Sequence, residues 1–273
     1  MERTPSQGAP SFAELASRRN EELRLGLGAL VIALEEYPDL PIDAYVERLD
    51  RLAVEFHENF SLTDESYHDC QAISEFLAAR RGFRGEDDNY YDARNCYLNQ
   101  VLDRGIGTPV SLGIIYLEVA QHVGLDLQPI LFPSHFILRM AGEGGHDIFI
   151  DPYTGRLLDL AGCRDLLTDL YATSRQFSES LVAPGTKKQV LLRLLQDLKF
   201  IYLRENNLQK AVRTLELMCL LSPWDLEQIR DRGFLYYRIG DNEKAAADLK
   251  AYLQHAPPGA TLEAVRETLR RLP

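Results

Sequence analysis

His135 and Asp151 are the residues of this chain whose types and spacing most readily do chemistry. His135 sits in Phe132-Pro-Ser-His-Phe136 and Asp151 ends Asp147-Ile-Phe-Ile-Asp151, with Gly142-Glu-Gly-Gly145 between them. Two short apolar stretches around a Gly-rich turn read as a hairpin. A hairpin centred on Glu143 sets His135 across from a residue near Asp151, and opposed side chains lie about 5 Å apart at Cβ. An imidazole oriented by a carboxylate can take a proton from a nucleophile, and a nucleophile at a helix N-terminus completes an acyl-transfer site. The matching helix follows Gly105-Ile-Gly107. Thr108 suits its N-cap, Pro109 its first helical position and Gly124 its C-terminal stop.

The nucleophile is the difficulty. The slot at 107–111 holds Thr108, Pro109 and Ser111 but no cysteine. The candidate catalytic set is therefore His135 and Asp151 with Ser111 or Thr108. Each has a plainer role beside the catalytic one. Thr108 can cap the helix, Ser111 can solvate its first turn, and the His–Asp pair can lock a hairpin through a charge-assisted hydrogen bond. A third use of the same stretch is anion binding, with Arg104 and Gly107 ahead of a helix N-terminus. Cys96 precedes the slot and reads as a buried structural thiol. Glu86, Asp87, Asp88 and Asp92 match no EF-hand spacing and read as a solvated acidic loop. The other histidines show no metal-ligand spacing, so neither a metal nor a cofactor is expected.

Stepping outward along the chain, residues 1–10 are polar with two prolines and read as a frayed tail. Ser11-Phe-Ala-Glu14 fits a capping box opening a helix that runs on to Leu34. Further helices are expected over about 42–56 and 64–81, then a loop over 83–94 and a short helix over 95–102. The period then changes to strands at 127–133, 135–140 and 147–151, followed by a turn at Pro152–Gly155 and a helix over 163–171.

The last part repeats. Tyr202, Ala211, Leu215 and Pro223 recur 34 residues on as Tyr236, Ala245, Leu249 and Pro257, with Asn206 and Gly240 at matching turns. That is the tetratricopeptide period, in which helix pairs stack. In the usual register Arg193, Gln196, Phe200, Arg230, Phe234 and Tyr237 line the concave face and suit an extended, acidic peptide. Packing of these residues against the acidic N-terminal domain is the alternative.

The 273 residues carry a net charge of −11, which argues against general nucleic-acid binding. The charge is uneven: 1–185 hold 15 Arg, no Lys and 30 acidic residues, whereas 186–273 hold 15 basic and 11 acidic residues. The break falls near Pro184-Gly185. Four scattered cysteines suggest reduced thiols in a cytoplasmic protein, and the absence of a long apolar run argues against a membrane span.

Several stretches together resemble the bacterial SirB-one family: Tyr90-Tyr91-Asp92, Leu98-Asn99, Arg104-Gly105-Ile106, Pro109-Val110-Ser111-Leu112, Tyr116–Ala120, Phe132–Phe136 and Ile150–Tyr153. The resemblance spans roughly 40–260. It implies an α+β fold, with a helical N-terminal bundle and a transglutaminase-like, papain-like core carrying a small antiparallel sheet, followed by an all-α tetratricopeptide-type module. It matches His135 and Asp151 to the family's histidine and aspartate and leaves the cysteine slot empty. The expected domains are 11–183 and 188–273. The expected function is a cytoplasmic, partner-binding pseudoenzyme that engages a protein or peptide, with an indirect part in virulence-gene regulation. The alternative is a hydrolase or acyltransferase using Ser111 or Thr108 with His135 and Asp151.

Overall fold

The computed structural model describes residues 10–63, 65–171, 176–257, 259 and 261–272. The expected N-terminal tail lies, apart from Pro10, outside the described residues. By contacts the chain divides into two units: 18–194 with the first residues, and 195–273 with Phe12–Ser17.

In the first unit, helices α2 (Leu25–Ala33), α3 (Ile42–Asn59) and α4 (Ser66–Ser74) come first; α1 (Phe12–Ser17), which precedes them in the chain, groups with the second unit. The single helix expected from Ser11 to Leu34 is broken. A 3-10 turn at Asn20–Glu22 separates α1 from α2, and α2 has its own N-terminus. There the Gly26 amide donates to the buried Glu118 carboxylate at 2.8 Å, with Arg24 Nε on the same carboxylate at 3.2 Å. A helix start satisfied from another helix leaves no local capping signal to read. Cys70, Ile73 and Leu77 are fully buried on one face, as the helical period requires. Past Ser74 that helix loosens into a π-helical turn at Glu75–Arg80.

α5 (Leu98–Arg104) ends at Gly105 in the left-handed region, and α6 (Pro109–Val123) follows. Thr108 caps α6: its hydroxyl accepts from the Ser111 amide while Ser111 Oγ accepts from the Thr108 amide. Pro109 takes the first helical position, and Gly124 stops the helix at φ 86°. Leu112, Ile114, Ile115, Tyr116 and Val119 have no exposed surface. An α6 apolar on nearly all sides fits its place, packed against α2, α3 and the sheet.

The sheet is an antiparallel meander in the order β1 (Gln128–Ile130), β2 (Ile137–Met140), β3 (Ile148–Asp151), β4 (Arg156–Leu158). Ile130, Phe132, Ile137 and Phe149 form its core with Cys163 and Leu167 of α7 (Leu160–Tyr171). The hairpin register differs from the expected one. Leu138 faces Ile150, not residue 148, so the turn centres on Gly144, which takes φ 65°. A slip of two keeps every side chain on its own face, because the strand period is two. β4 went unread in the sequence; Arg-Leu-Leu after the 152–155 turn is too short to show alternation.

α8 (Lys187–Arg204) runs from the first unit into the second. α9 (Leu208–Leu221), α10 (Leu226–Ile239), α11 (Asn242–His255) and α12 (Thr261–Arg271) complete the repeats. Ala211 and Ala245 are fully buried, as are Leu215 and Leu249, and Tyr202 and Tyr236 nearly so. Asn206 (φ 55°) and Gly240 (φ 83°) both turn the chain in the left-handed region between paired helices. Glycine adopts that conformation at no steric cost, and asparagine is among the side chains that tolerate it best.

Candidate functional site

His135 and Asp151 meet. Nε2 of the imidazole lies 2.9 Å from Asp151 Oδ1, and both residues are buried. His135 stands two residues before β2, so Asp151 at the end of β3 reaches it diagonally across the hairpin. The carboxylate is held from three directions. Its Oδ1 also accepts from the Tyr153 amide at 2.9 Å, and its Oδ2 accepts from the Thr154 hydroxyl at 2.8 Å. Burial alone would raise this carboxyl; the hydrogen bond and charge of His135, with Thr154 and Tyr153, outweigh it and hold it below the usual range.

The pair opens into a cleft of about 560 Å³ whose walls include Pro109, Tyr90, Tyr91, Tyr153, Leu166, Leu170 and Arg193. Tyr153 stands edge-on to the imidazole, ring centres 6.1 Å apart, and its hydroxyl donates to Asp87 Oδ1 at 2.7 Å. Gly85 makes room for that ring. A Cβ at Gly85 would lie 2.1 Å from it, and the Gly85 amide donates to the Tyr153 carbonyl. Arg193 Nη1 donates to the His135 carbonyl at 3.2 Å and lies 3.5 Å from that of Phe132. Ser134 takes φ 51° and its hydroxyl meets the Tyr171 hydroxyl at 2.5 Å.

Neither hydroxyl candidate is among the residues that line this cleft. Ser111 has no exposed surface, and its Oγ donates to the Asn95 carbonyl at 2.6 Å. Thr108 is 2 % exposed and occupied in the α6 cap. Both groups face the interior because the two reciprocal bonds of the capping box consume their directions. What α6 presents to the cleft is the Pro109 ring. The residues named for anion binding make hydrogen bonds within the chain. Arg104 donates to the Asn95 side-chain oxygen, the Gly107 amide donates to the Arg84 carbonyl and the Thr108 amide to the Asn95 carbonyl.

Two carboxylates of 86–92 are engaged locally: Asp92 holds Arg94, and Asp87 anchors Tyr153. No group of acidic, histidine or cysteine residues among the described residues forms a metal site. All four cysteines are buried and none is in a disulfide, and burial pushes the Cys70 and Cys163 thiols up to about 12.

The six residues assigned to a repeat groove divide. Arg193 belongs to the first unit and lines the His135 cleft. Arg230 pairs with Glu227 and Asp231 and keeps only 17 % side-chain exposure. Phe234 packs against Leu249, Tyr252 and Val265, and Tyr237 is half-buried. Gln196 and Phe200 are exposed. The reading from sequence missed the cleft roles of Tyr153, Arg193, Leu166 and Leu170. Tyr90 and Tyr91 stood in a recognisable motif, and Leu166 and Leu170 share a helical face, but only the fold brings them to one opening.

A buried His–Asp pair on an antiparallel sheet beside a buried helix, joined to 34-residue helical repeats, defines a transglutaminase-like protein with a tetratricopeptide module. Residues 43–196 match the transglutaminase-like superfamily and residues 198–270 the tetratricopeptide repeat. The chain is 34 % identical to a UPF0162 protein of Xylella fastidiosa over 94 % of its own length and 92 % of the relative's. It is 29 % identical to one of Vibrio cholerae, covering 70 % of this chain and 71 % of the relative. It is 26 % identical to Protein SirB1 of Salmonella typhimurium, covering 86 % and 87 %. The chain belongs to this transglutaminase-like family of UPF0162 and SirB1 proteins. Among solved structures, that of menin superposes with a TM-score of 0.42 at 9 % identity, over 89 % of this chain and 70 % of that one.

Proposed function

We propose that the protein is a partner-binding protein that forms no covalent acyl intermediate. Its transglutaminase-like core keeps the His135–Asp151 pair without a nucleophile, and its repeat module engages a protein or peptide. One observation carries the reading: Pro109 stands in the cleft wall while Thr108 and Ser111 turn inward to cap α6. Proline has no nucleophilic side chain, and a hydroxyl needs an aligned base to become one. The repeat module supports the binding half. Tetratricopeptide arrays offer extended surfaces to partners, and Phe200, Leu220 and Trp224 of this unit are 52, 44 and 75 % exposed. The part in virulence-gene control that the family resemblance implies would run through such a partner.

Capture from cell lysate with wild type, His135→Ala and the pair Phe200→Ala/Trp224→Ala tests the reading. The reading expects the double variant to lose a specific partner that wild type retains. Retention of every partner by the double variant, or catalytic turnover of a captured protein that stops in His135→Ala, contradicts it.

A further inference from the structure

We infer that the His135 cleft receives a tyrosine or tryptophan side chain of a partner protein, whose O–H or N–H donates to His135 Nδ1. The inference rests on the partner-binding reading and adds a second contact point, in the core.

The hydrogen bonding of the imidazole sets the ligand's chemistry. Nε2 faces Asp151 Oδ1 at 2.9 Å. That carboxylate already accepts from the Tyr153 amide and the Thr154 hydroxyl, so it acts as an acceptor, and Nε2 bears the proton. In the neutral imidazole Nδ1 then presents a lone pair. Among the described residues it has no hydrogen-bond partner, although His135 is only 8 % exposed and lines the cleft. Nδ1 is not one of the buried atoms left without a partner, so it opens on the cleft, where a ligand's donor can reach it.

The walls set the ligand's shape. Tyr90, Tyr91 and Tyr153 supply ring faces, with Tyr90 and Tyr153 centred 6.1 Å apart, and Leu166 and Leu170 face them as aliphatic surface. Flat rings pack against such walls, and tyrosine and tryptophan dominate the anchors of protein interfaces. The cleft's volume lies within the range of ligand pockets. Its charged groups are already hydrogen-bonded within the chain: Asp151 to His135, Asp87 to the Tyr153 hydroxyl, Arg193 to two backbone carbonyls. A neutral aromatic donor therefore fits better than an ion.

The test uses the full chain with 15N-labelled histidine and two probes that differ by one hydroxyl, N-acetyl-tyrosinamide and N-acetyl-phenylalaninamide. NMR should show His135 with the proton on Nε2. The tyrosine probe should shift Nδ1 and bind about tenfold tighter than the phenylalanine probe, the worth of one hydrogen bond. In His135→Phe the two probes should bind alike. The wild-type comparison stands even if that variant does not fold. Equal binding of the two probes to wild type, or a proton found on Nδ1, overturns the inference. Either result leaves the repeat-module reading to its own capture experiment.

Discussion

Asp151 is the residue that fixes the site, because three donors converge on its two oxygens. Its carboxyl is held lower in the folded chain than its ordinary value. The ionised form therefore stabilises the fold above the usual carboxylate range, and that contribution is lost as pH falls through the folded-state value. Asp151→Asn removes the titration and leaves Tyr153 and Thr154 with a poorer acceptor. Urea unfolding should place the variant about 1–3 kcal/mol below wild type at pH 7, and the gap should narrow toward pH 3. A gap that does not change with pH contradicts this role. Gly85 makes the second prediction. Gly85→Ala puts a methyl group 2.1 Å from the Tyr153 ring, which should cost about 1–3 kcal/mol by overpacking. Thermal unfolding measures it, and an unchanged midpoint would mean that Tyr153 moves freely.

At the scale of elements, the caps and the repeat turns were the legible parts. Thr108, Pro109 and Gly124 announced both ends of α6 because each acts through its own backbone neighbours. Asn206 and Gly240 announced the repeat turns for the same reason. Three features escaped because their causes are distant or short. The break before α2 depends on a carboxylate from α6, β4 spans three residues, and the hairpin register was settled by a turn around Gly144. The repeat turns yield a paired prediction. Gly240→Ala forces a Cβ into the left-handed region and should cost about 1–2 kcal/mol. Asn206→Gly relieves the same strain and should be neutral or stabilising by up to about 1 kcal/mol. Chemical denaturation reads both, and equal effects of the two would show that turn conformation is not what matters there.

At the scale of the molecule, a two-part division was visible in charge and in the 34-residue period, whereas the transglutaminase-like character of the first part rested on the family resemblance. The opening of the cleft was not visible, because it gathers Tyr90, Pro109, His135, Leu166 and Arg193 from five separate stretches. Spacing rules see one stretch at a time. The repeat-groove register likewise assigned Arg193 by position, whereas its guanidinium reaches the His135 carbonyl. The four buried thiols give a whole-chain prediction. The native protein should react slowly with a thiol reagent and release all four equivalents only on unfolding. Fast labelling of any one of them in the native state would reveal a reactive cysteine in a chain assigned none.

The most direct test of a core without a covalent nucleophile is intact mass after incubation with an activated acyl ester or an alkyl fluorophosphonate, in wild type and His135→Ala. The capped, buried hydroxyls of Thr108 and Ser111 predict no adduct on either residue and no difference between the two proteins. An adduct on Ser111 or Thr108 that disappears in His135→Ala would contradict the account and make the His135–Asp151 pair the base of a working acyl enzyme.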